Sequence, residues 1–289
     1  MKFQIVVVMH NVEEMIEKNI LLLKEQTYRN FRVIVVDDMS TDGTVDVVKK
    51  IIQGDDRFKL FLNKEKKYKT RNVAEAINKA DAEDDDVFVL VDGDDHLANK
   101  NVLQYLYDVY HEKKCWMTYG SYTDMGGVMD GARSPKCYSY DEEVIQNNSF
   151  RDVRWLASHL KTFKYRLWQK LDMDVFYISN GEIKQALVRA LLTLNFRRWF
   201  HWRGIKSEDL HDISGKYIRR IDDKAFTFPM LEMSGNRAFF ISEVLYVYYT
   251  ERLPYEDQNY GANKNEKWHN RLIRDILIHK ERYLRVKNI

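Results

Sequence analysis

Proline is scarce in this chain, three residues in 289. With so few breakers, and with no stretch dominated by glycine, serine or one charge, no linker announces a domain boundary. The length suffices for a large core, so one big domain or one domain with an appendage is expected. Cysteine is scarcer still. Cys115 and Cys137 are the only two; they form neither a metal-ligand spacing nor a disulfide framework, and read as reduced thiols in a cytoplasmic setting. No stretch approaches the roughly 20 apolar residues of a spanning helix. Met1-Lys2-Phe3-Gln4-Ile5 runs straight into a strand, without the apolar core and cleavage site of a leader peptide. An excess of one charge is also missing: 46 basic against 44 acidic side chains leave +2. No global field therefore points to nucleic acid or to a membrane surface. Finally, Met9-His10-Asn11 contains no glycine. A dinucleotide enzyme needs Gly-x-Gly-x-x-Gly between its first strand and helix, and a nucleotidyltransferase needs a glycine-rich phosphate loop there, so both classes are excluded.

What is present is alternation. Phe3 to Met9 is a continuous apolar strand, and Val12, Met15, Ile16, Ile20 and Leu23 follow at helical spacing, with Asn11 placed to cap that helix and Glu14 to bond back. Arg32 to Val36 is a second strand, ending in Asp37-Asp38. The turn Met39-Ser40-Thr41-Asp42-Gly43-Thr44 then opens a helix carrying Val45, Val48 and Ile52. Phe58 to Leu62 is a third strand, Thr70 to Ala80 a helix, Val87 to Val91 a fourth strand, Asn99 to Tyr110 a helix and Cys115 to Tyr119 a fifth strand. Strands alternating with helices of this length make βαβ units, hence a mostly parallel sheet covered on both faces.

The Val87 strand ends in Asp92-Gly93-Asp94-Asp95. Clustered carboxylates repel one another unless something positive lies between them. Their oxygens suit the hard ions Mg²⁺ and Mn²⁺, which also grip phosphates. A solvated acidic turn is the plain alternative, and on this motif alone the two readings weigh the same. In a parallel sheet, however, Asp37-Asp38 and Asp92 to Asp95 emerge on one edge, where open α/β sheets bind ligands.

Taken in order, Val8-Met9-His10-Asn11-Val12-Glu13, Glu25-Gln26-Thr27-Tyr28-Arg29-Asn30-Phe31, Val36-Asp37-Asp38-Met39-Ser40-Thr41-Asp42-Gly43-Thr44 and Asp92-Gly93-Asp94-Asp95 resemble the successive signatures of family 2 glycosyltransferases of GT-A fold. The resemblance covers roughly the first 125 residues. It departs from the family where Val8 and His10 occupy the usual Pro and Tyr places. It implies a Rossmann-like α/β domain that binds a nucleoside-diphosphate sugar, with Mn²⁺ or Mg²⁺ on the diphosphate. By resemblance, His10, Glu13 and Asp38 line the nucleotide pocket and Arg71, in Lys69-Thr70-Arg71-Asn72, faces the nucleotide. Asp92 serves the ribose or the metal, Asp94 the metal, and Asp95 supports them. The lysines around Arg71 (Lys64, Lys66, Lys67 and Lys69) read instead as a solvated surface turn.

Beyond about residue 125 the pattern is less regular. Trp155 to Lys164 resembles a segment near the acceptor face in a subgroup from bacteria and large viruses, and His159 is as open to a structural as to an acceptor-side or metal role. Ile218 to Phe226 resembles the family's later acidic motif. That places the catalytic base on Asp223, with Asp222 next to it as the alternative. Glu232, in an apolar run, reads as a salt-bridged structural residue. Leu191 to Arg203 interleaves aromatics with arginines. It reads first as a buried helix end whose arginines reach outward, second as a sugar-stacking platform centred on Trp199, and also as a membrane-interface anchor. The helix at Leu272 to Lys280 is amphipathic and basic; it reads as packing on the sheet, with a membrane-facing role as the alternative.

The expectation is thus a catalytic domain over 1–225, with a nucleotide-sugar half (1–125) and an acceptor half (126–225), and a helical extension over 226–289. Its expected activity is metal-dependent transfer of a sugar from a UDP- or GDP-sugar to a hydroxyl of a glycan or glycoprotein, with inversion. A nucleotide-sugar-binding module and a retaining enzyme of the same fold are the alternatives.

Overall fold

β1 (Phe3–Met9) is apolar on both faces, and the fold covers both. Phe3, Ile5, Val7 and Met9 enter one core, while Val6 and Val8 enter the other, as the two-residue repeat of a strand dictates. The computed structural model describes residues 1–124, 138–220, 222–249, 266–287 and 289, with only the backbone of Asp124 and Asp222. Cys137 lies outside the described residues. Cys115 is buried, and burial pushes its thiol up to about 12, so it behaves as an inert core group.

From β1 the chain passes through α1 (Glu13–Lys24), β2 (Phe31–Asp37), α2 (Thr44–Ile52), β3 (Phe58–Leu62), α3 (Tyr68–Asn78), β4 (Val87–Asp92), the short β5 (His96–Leu97), α4 (Val102–Lys113) and β6 (Met117–Asp124). β3, β2, β1 and β4 lie side by side and parallel, with Phe3 opposite both Phe31 and Val87 and Val33 opposite Phe58. Helices α1, α2 and α4 cover one face through Ile16, Ile20, Leu23, Val48, Leu103 and Leu106. Helix α3 covers the other through Val73, Ala74, Ala76 and Ile77. The sequence boundaries hold to within three residues except at the end of β6, which runs five residues past the expected Tyr119 to Asp124. Asn11 does not cap α1: it adopts a left-handed φ of 51°, and its side-chain oxygen accepts from the Thr41 N–H (2.8 Å), tying together the loops after β1 and β2.

The second half comprises α5 (Glu142–Gln146), β7 (Ser158–Lys164), α6 (Tyr165–Trp168), α7 (Asn180–Leu192), α8 (Phe196–Trp202), α9 (Ser207–Leu210), α10 (Asp222–Ser234), β8 (Ala238–Tyr248) and α11 (Glu266–His279). Ser179 and Glu182 form a reciprocal capping box that starts α7. Two strands extend the sheet in ways the sequence pattern did not give. β7 runs antiparallel between β4 and β6, and β8 runs parallel to β6, so the order is β3-β2-β1-β4-β7-β6-β8-β5. Residues 226–289 are therefore not a purely helical extension. Ser158-His159-Leu160-Lys161 is too polar to read as a buried strand, and only its central position in the sheet accounts for it. α11 packs by Trp268, Leu272, Ile273, Ile276 and Leu277 against α7 and α8.

Candidate active site

Because β1 lies between β2 and β4 and all three are parallel, their carboxyl ends share one rim. Met9 stands beside Asp37 and Val8 beside Asp92. The two acidic strand ends expected to meet there do so.

The turn after β4 is held from three sides. Gly93 crosses β1 so closely that a Cβ would lie 2.7 Å from the Met9 Cβ and 2.9 Å from the Val8 carbonyl oxygen; only glycine fits this approach. Asn19, buried on the apolar face of α1, donates to the carbonyls of Asp92 (2.8 Å) and Asp95 (2.7 Å). From β8, the Tyr246 hydroxyl accepts from the Asp92 N–H (3.1 Å) and donates to the Asp95 carboxylate (2.7 Å). Asp92, Asp94 and Asp95 each bring a carboxylate oxygen within 4.8 Å of the others. Burial, and after it the charge of Asp92, raise the Asp95 carboxyl to about 7, as expected of a buried carboxyl beside a second one. Both oxygens of Asp95 are engaged, by Tyr246 and by the Tyr249 N–H. Asp92 and Asp94 are half-exposed and Asp95 is buried, so an ion reaching the cluster would meet the first two, whose hard oxygens suit Mg²⁺ or Mn²⁺.

Cations face this turn. The Lys69 ammonium of α3 lies 2.6 and 2.8 Å from the two Asp92 oxygens. Burial opposes ionisation of Asp92, but Lys69 and Lys161 outweigh it and keep the carboxyl below its ordinary value. Lys161, buried on β7, is 3.5 Å from Asp223 at the start of α10. Burial likewise opposes ionisation of Asp223, and Lys161 and Lys69 again prevail. His159 stacks on Tyr246 with ring centroids 4.5 Å apart, and Tyr248 and Tyr122 flank it. Burial and Lys161 push its imidazole down to about 3, so it is neutral at any physiological pH. Asp92, Asp94, Asp223 and His159, expected from different parts of the chain, thus belong to one electrostatic cluster. The Asp222 side chain lies outside the described residues.

A second group occupies the loops after β1 and β2. Asp38 is buried, and its carboxylate accepts from the N–H groups of Lys67 (2.9 Å) and Tyr68 (3.0 Å) and from Asn63 (2.9 Å), with Lys66 3.4 Å away. It shapes the loop entering α3. Glu13 reaches from α1 to the Gly43 N–H (2.9 Å) at the start of α2. His10 is half-buried, and burial together with Lys66 lowers its pKa.

Two expected residues have other partners. Arg71 is held by Glu75 (2.7 Å), Glu65 (3.0 Å) and the buried Asp212 (3.2 Å), clamping α3 to the segment before α10. Trp199 is half-buried on α8 against the core, with the Arg203 guanidinium 5.5 Å from its ring centre. The lysine turn is not simply solvated: Lys66, Lys67 and Lys69 all pair with carboxylates.

Asn19, Lys69, Lys161 and Tyr246 were not singled out from the sequence. One signal existed: Asn19 interrupts the apolar face of α1 between Ile16 and Ile20. The other three acquire meaning only from strands and helices distant in sequence.

Comparison with known proteins agrees with this geometry. The family model described as glycosyl transferase family 2 matches residues 4–178. An uncharacterized glycosyltransferase of Haemophilus influenzae is 26% identical over 201 residues, covering 67% of this chain and 78% of that protein. Residues 1–349 of S. aureus TarS, crystallised with UDP-GlcNAc, superpose with a TM-score of 0.57 at 17% identity, covering 94% of this chain and 65% of that one. The chain spans only 38% of a longer TarS structure. The mannosyltransferase PcManGT of Pyrobaculum calidifontis, with GDP-Man and Mn²⁺, gives a TM-score of 0.52 at 17% identity, covering 89% of this chain and 59% of that one. The sheet and these likenesses give the GT-A fold, and with a family match over more than half its length, the chain belongs to glycosyl transferase family 2.

Proposed function

We propose that this transferase moves a sugar from a UDP- or GDP-sugar to a hydroxyl of a glycan or glycoprotein, with inversion at the anomeric carbon. The observation that carries the reading is the shared cluster: Lys69 lies 2.6 Å from Asp92 on one side, and Lys161 lies 3.5 Å from Asp223 on the other. The same two lysines act on both carboxylates, which supports reading Asp92 as part of a diphosphate-binding wall and Asp223 as a base beside it. Asp92 and Asp94 would hold a divalent ion, which when bound offsets negative charge developing on the departing diphosphate.

The chain's own groups do the rest. Asp223, kept ionised by Lys161, accepts the proton of the acceptor hydroxyl and makes it a competent nucleophile. Lys69 supplies a second positive charge for phosphate oxygens. Asp38 and Glu13 fix the loops around the base and ribose, and His10 offers a neutral ring on the same rim. Arg71 sets the position of α3, and hence of Lys69, rather than touching the donor. His159 holds Tyr246, and Tyr246 holds Asp95. The solved neighbours carrying UDP-GlcNAc, and GDP-Man with Mn²⁺, support the donor class and the ion.

The test is a thermal-shift screen of UDP-, GDP- and other nucleotide sugars with and without Mn²⁺, since a ligand that binds only the native state raises Tm. NMR of the product follows. A shift for a UDP- or GDP-sugar that needs Mn²⁺ and disappears in Asp94→Ala, with a product of inverted configuration, is the expected result. Binding without transfer or slow hydrolysis makes the chain a binding module, and a retained configuration removes Asp223 as base.

A further inference from the structure

At the corner where α7 meets α8, large apolar side chains stand in solvent. Leu192 and Leu194 are 78% and 73% exposed, and Phe196 and Phe200 are 61% and 57% exposed. Exposure of this order on four neighbouring large side chains needs a reason, because burying each would be favourable. The opposite sides of the same helices are fully used. Ile183, Ala186, Ala190 and Trp202 are in the core, and the Trp202 ring N–H donates to the Trp268 carbonyl of α11 (3.2 Å). The cavity of about 590 Å³ between α7 and α11 takes its lining from Gln185 and Arg189, away from these residues. The four side chains project into solvent.

Two arginines of the same stretch, Arg197 and Arg203, are exposed; the Arg203 guanidinium lies 4.5 Å from the Phe200 ring centre, and that of Arg197 lies 5.6 Å from the Trp268 ring centre. We infer that this corner docks on an anionic lipid surface, with Leu192, Leu194, Phe196 and Phe200 entering the acyl boundary and Arg197 and Arg203 reaching the headgroup phosphates. Exposed apolar tips with exposed basic groups in the same stretch are what an interfacial segment requires, and arginine's planar fork suits phosphate oxygens. A second copy of the chain fits less well. Face-to-face packing would set the arginines of one copy against those of the other. No helix among the described residues is long and apolar enough to cross a membrane. Such docking would hold the chain at a surface whichever sugar nucleotide its active site takes.

The experiment is co-sedimentation of the full chain with vesicles of phosphatidylcholine, alone or with about a third phosphatidylglycerol. The wild type is expected to pellet with the anionic vesicles, less at high salt, and weakly with the neutral ones. The pair Leu194→Ser and Phe196→Ser should weaken binding by about tenfold or more, and Arg197→Gln with Arg203→Gln should abolish the preference for anionic lipid. All these side chains are exposed, so Tm should stay at the wild-type value. Leu192→Ser, on α7 alone, repeats the test should the pair unfold α8. A wild type that ignores both vesicles overturns the inference, as does a serine pair that binds like the wild type. So does a dimer in ultracentrifugation that the serine pair dissociates.

Discussion

Asp223 and Asp92 are both carboxylates pulled below their ordinary pKa by lysines, but the side chains around them differ, and so do the tasks we propose for them. Asp92 shares its turn with two further carboxylates and is bridged by Lys69; Asp223 starts a helix and meets Lys161. Asp223→Asn keeps the shape and removes the proposed proton acceptor. Turnover should fall by about 10²–10⁴ while UDP affinity changes little, and single-turnover rates beside calorimetric titration will check this. Lys69→Met removes the cation that now neutralises Asp92. Without nucleotide, Mn²⁺ should bind about tenfold more tightly, and UDP should bind more weakly with Mn²⁺ saturating, as one charge a few ångströms away predicts. Equal Mn²⁺ affinity in the two proteins would show that Lys69 does not compete for Asp92. Asp92 and Asp94 stand out in the sequence because their acidic motif is local, and Asp223 is picked out by the family resemblance. Lys69 was not, since nothing within the lysine run distinguishes one member until α3 points it at β4.

At the scale of elements, α3 and α10 each depend on a charged anchor. Burial opposes ionisation of Glu75 on α3, but hydrogen bonds from Lys79, Arg71 and Lys67 hold its pKa at about 2, against 4.5 unperturbed. A carboxyl lowered in the folded state stabilises it fully above the unfolded pKa and loses that contribution as pH falls through the folded one. The window is therefore from about 4.5 down to about 2. Urea midpoints measured across it should fall more steeply for the wild type than for Glu75→Gln. On α10, Glu232 receives both forks of Arg151 (2.5 and 2.7 Å), while the same guanidinium donates to the Leu277 carbonyl of α11 (2.7 Å). The structural salt bridge expected for Glu232 is present. Glu232→Ala leaves a buried arginine uncompensated and should cost about 3–5 kcal/mol, readable by urea unfolding. Replacing both partners by apolar residues should cost less than that single change.

Over the whole molecule, the sheet sews the two halves together. β8 pairs with β6 along its length and carries Tyr246, whose hydroxyl orders the acidic turn after β4. α10 and α11 add Phe226, Met230, Leu231, Leu272 and Ile276 to the core under β4 and β7. A chain ending at residue 225 should therefore not fold on its own. It should show neither a cooperative thermal transition nor a Mn²⁺-dependent response to UDP, by near-ultraviolet circular dichroism and thermal shift; a cooperative transition there would make 226–289 a separable extension.

The βαβ half of this protein was determined by sequence alone, because its strands are buried on both faces and its helices on one. Those demands write period-2 and period-3.6 patterns directly into the chain. The acidic strand ends were equally plain, since a parallel sheet leaves them no choice of edge. Tertiary structure decided the rest. Ser158–Lys164 becomes a strand because β4 and β6 flank it, Asn19 and Tyr246 matter because they reach the Asp92 turn from α1 and β8, and Arg71 is a clamp because Asp212 lies opposite it. Each depends on residues brought near by folding, and spacing along the chain carries no record of such neighbours.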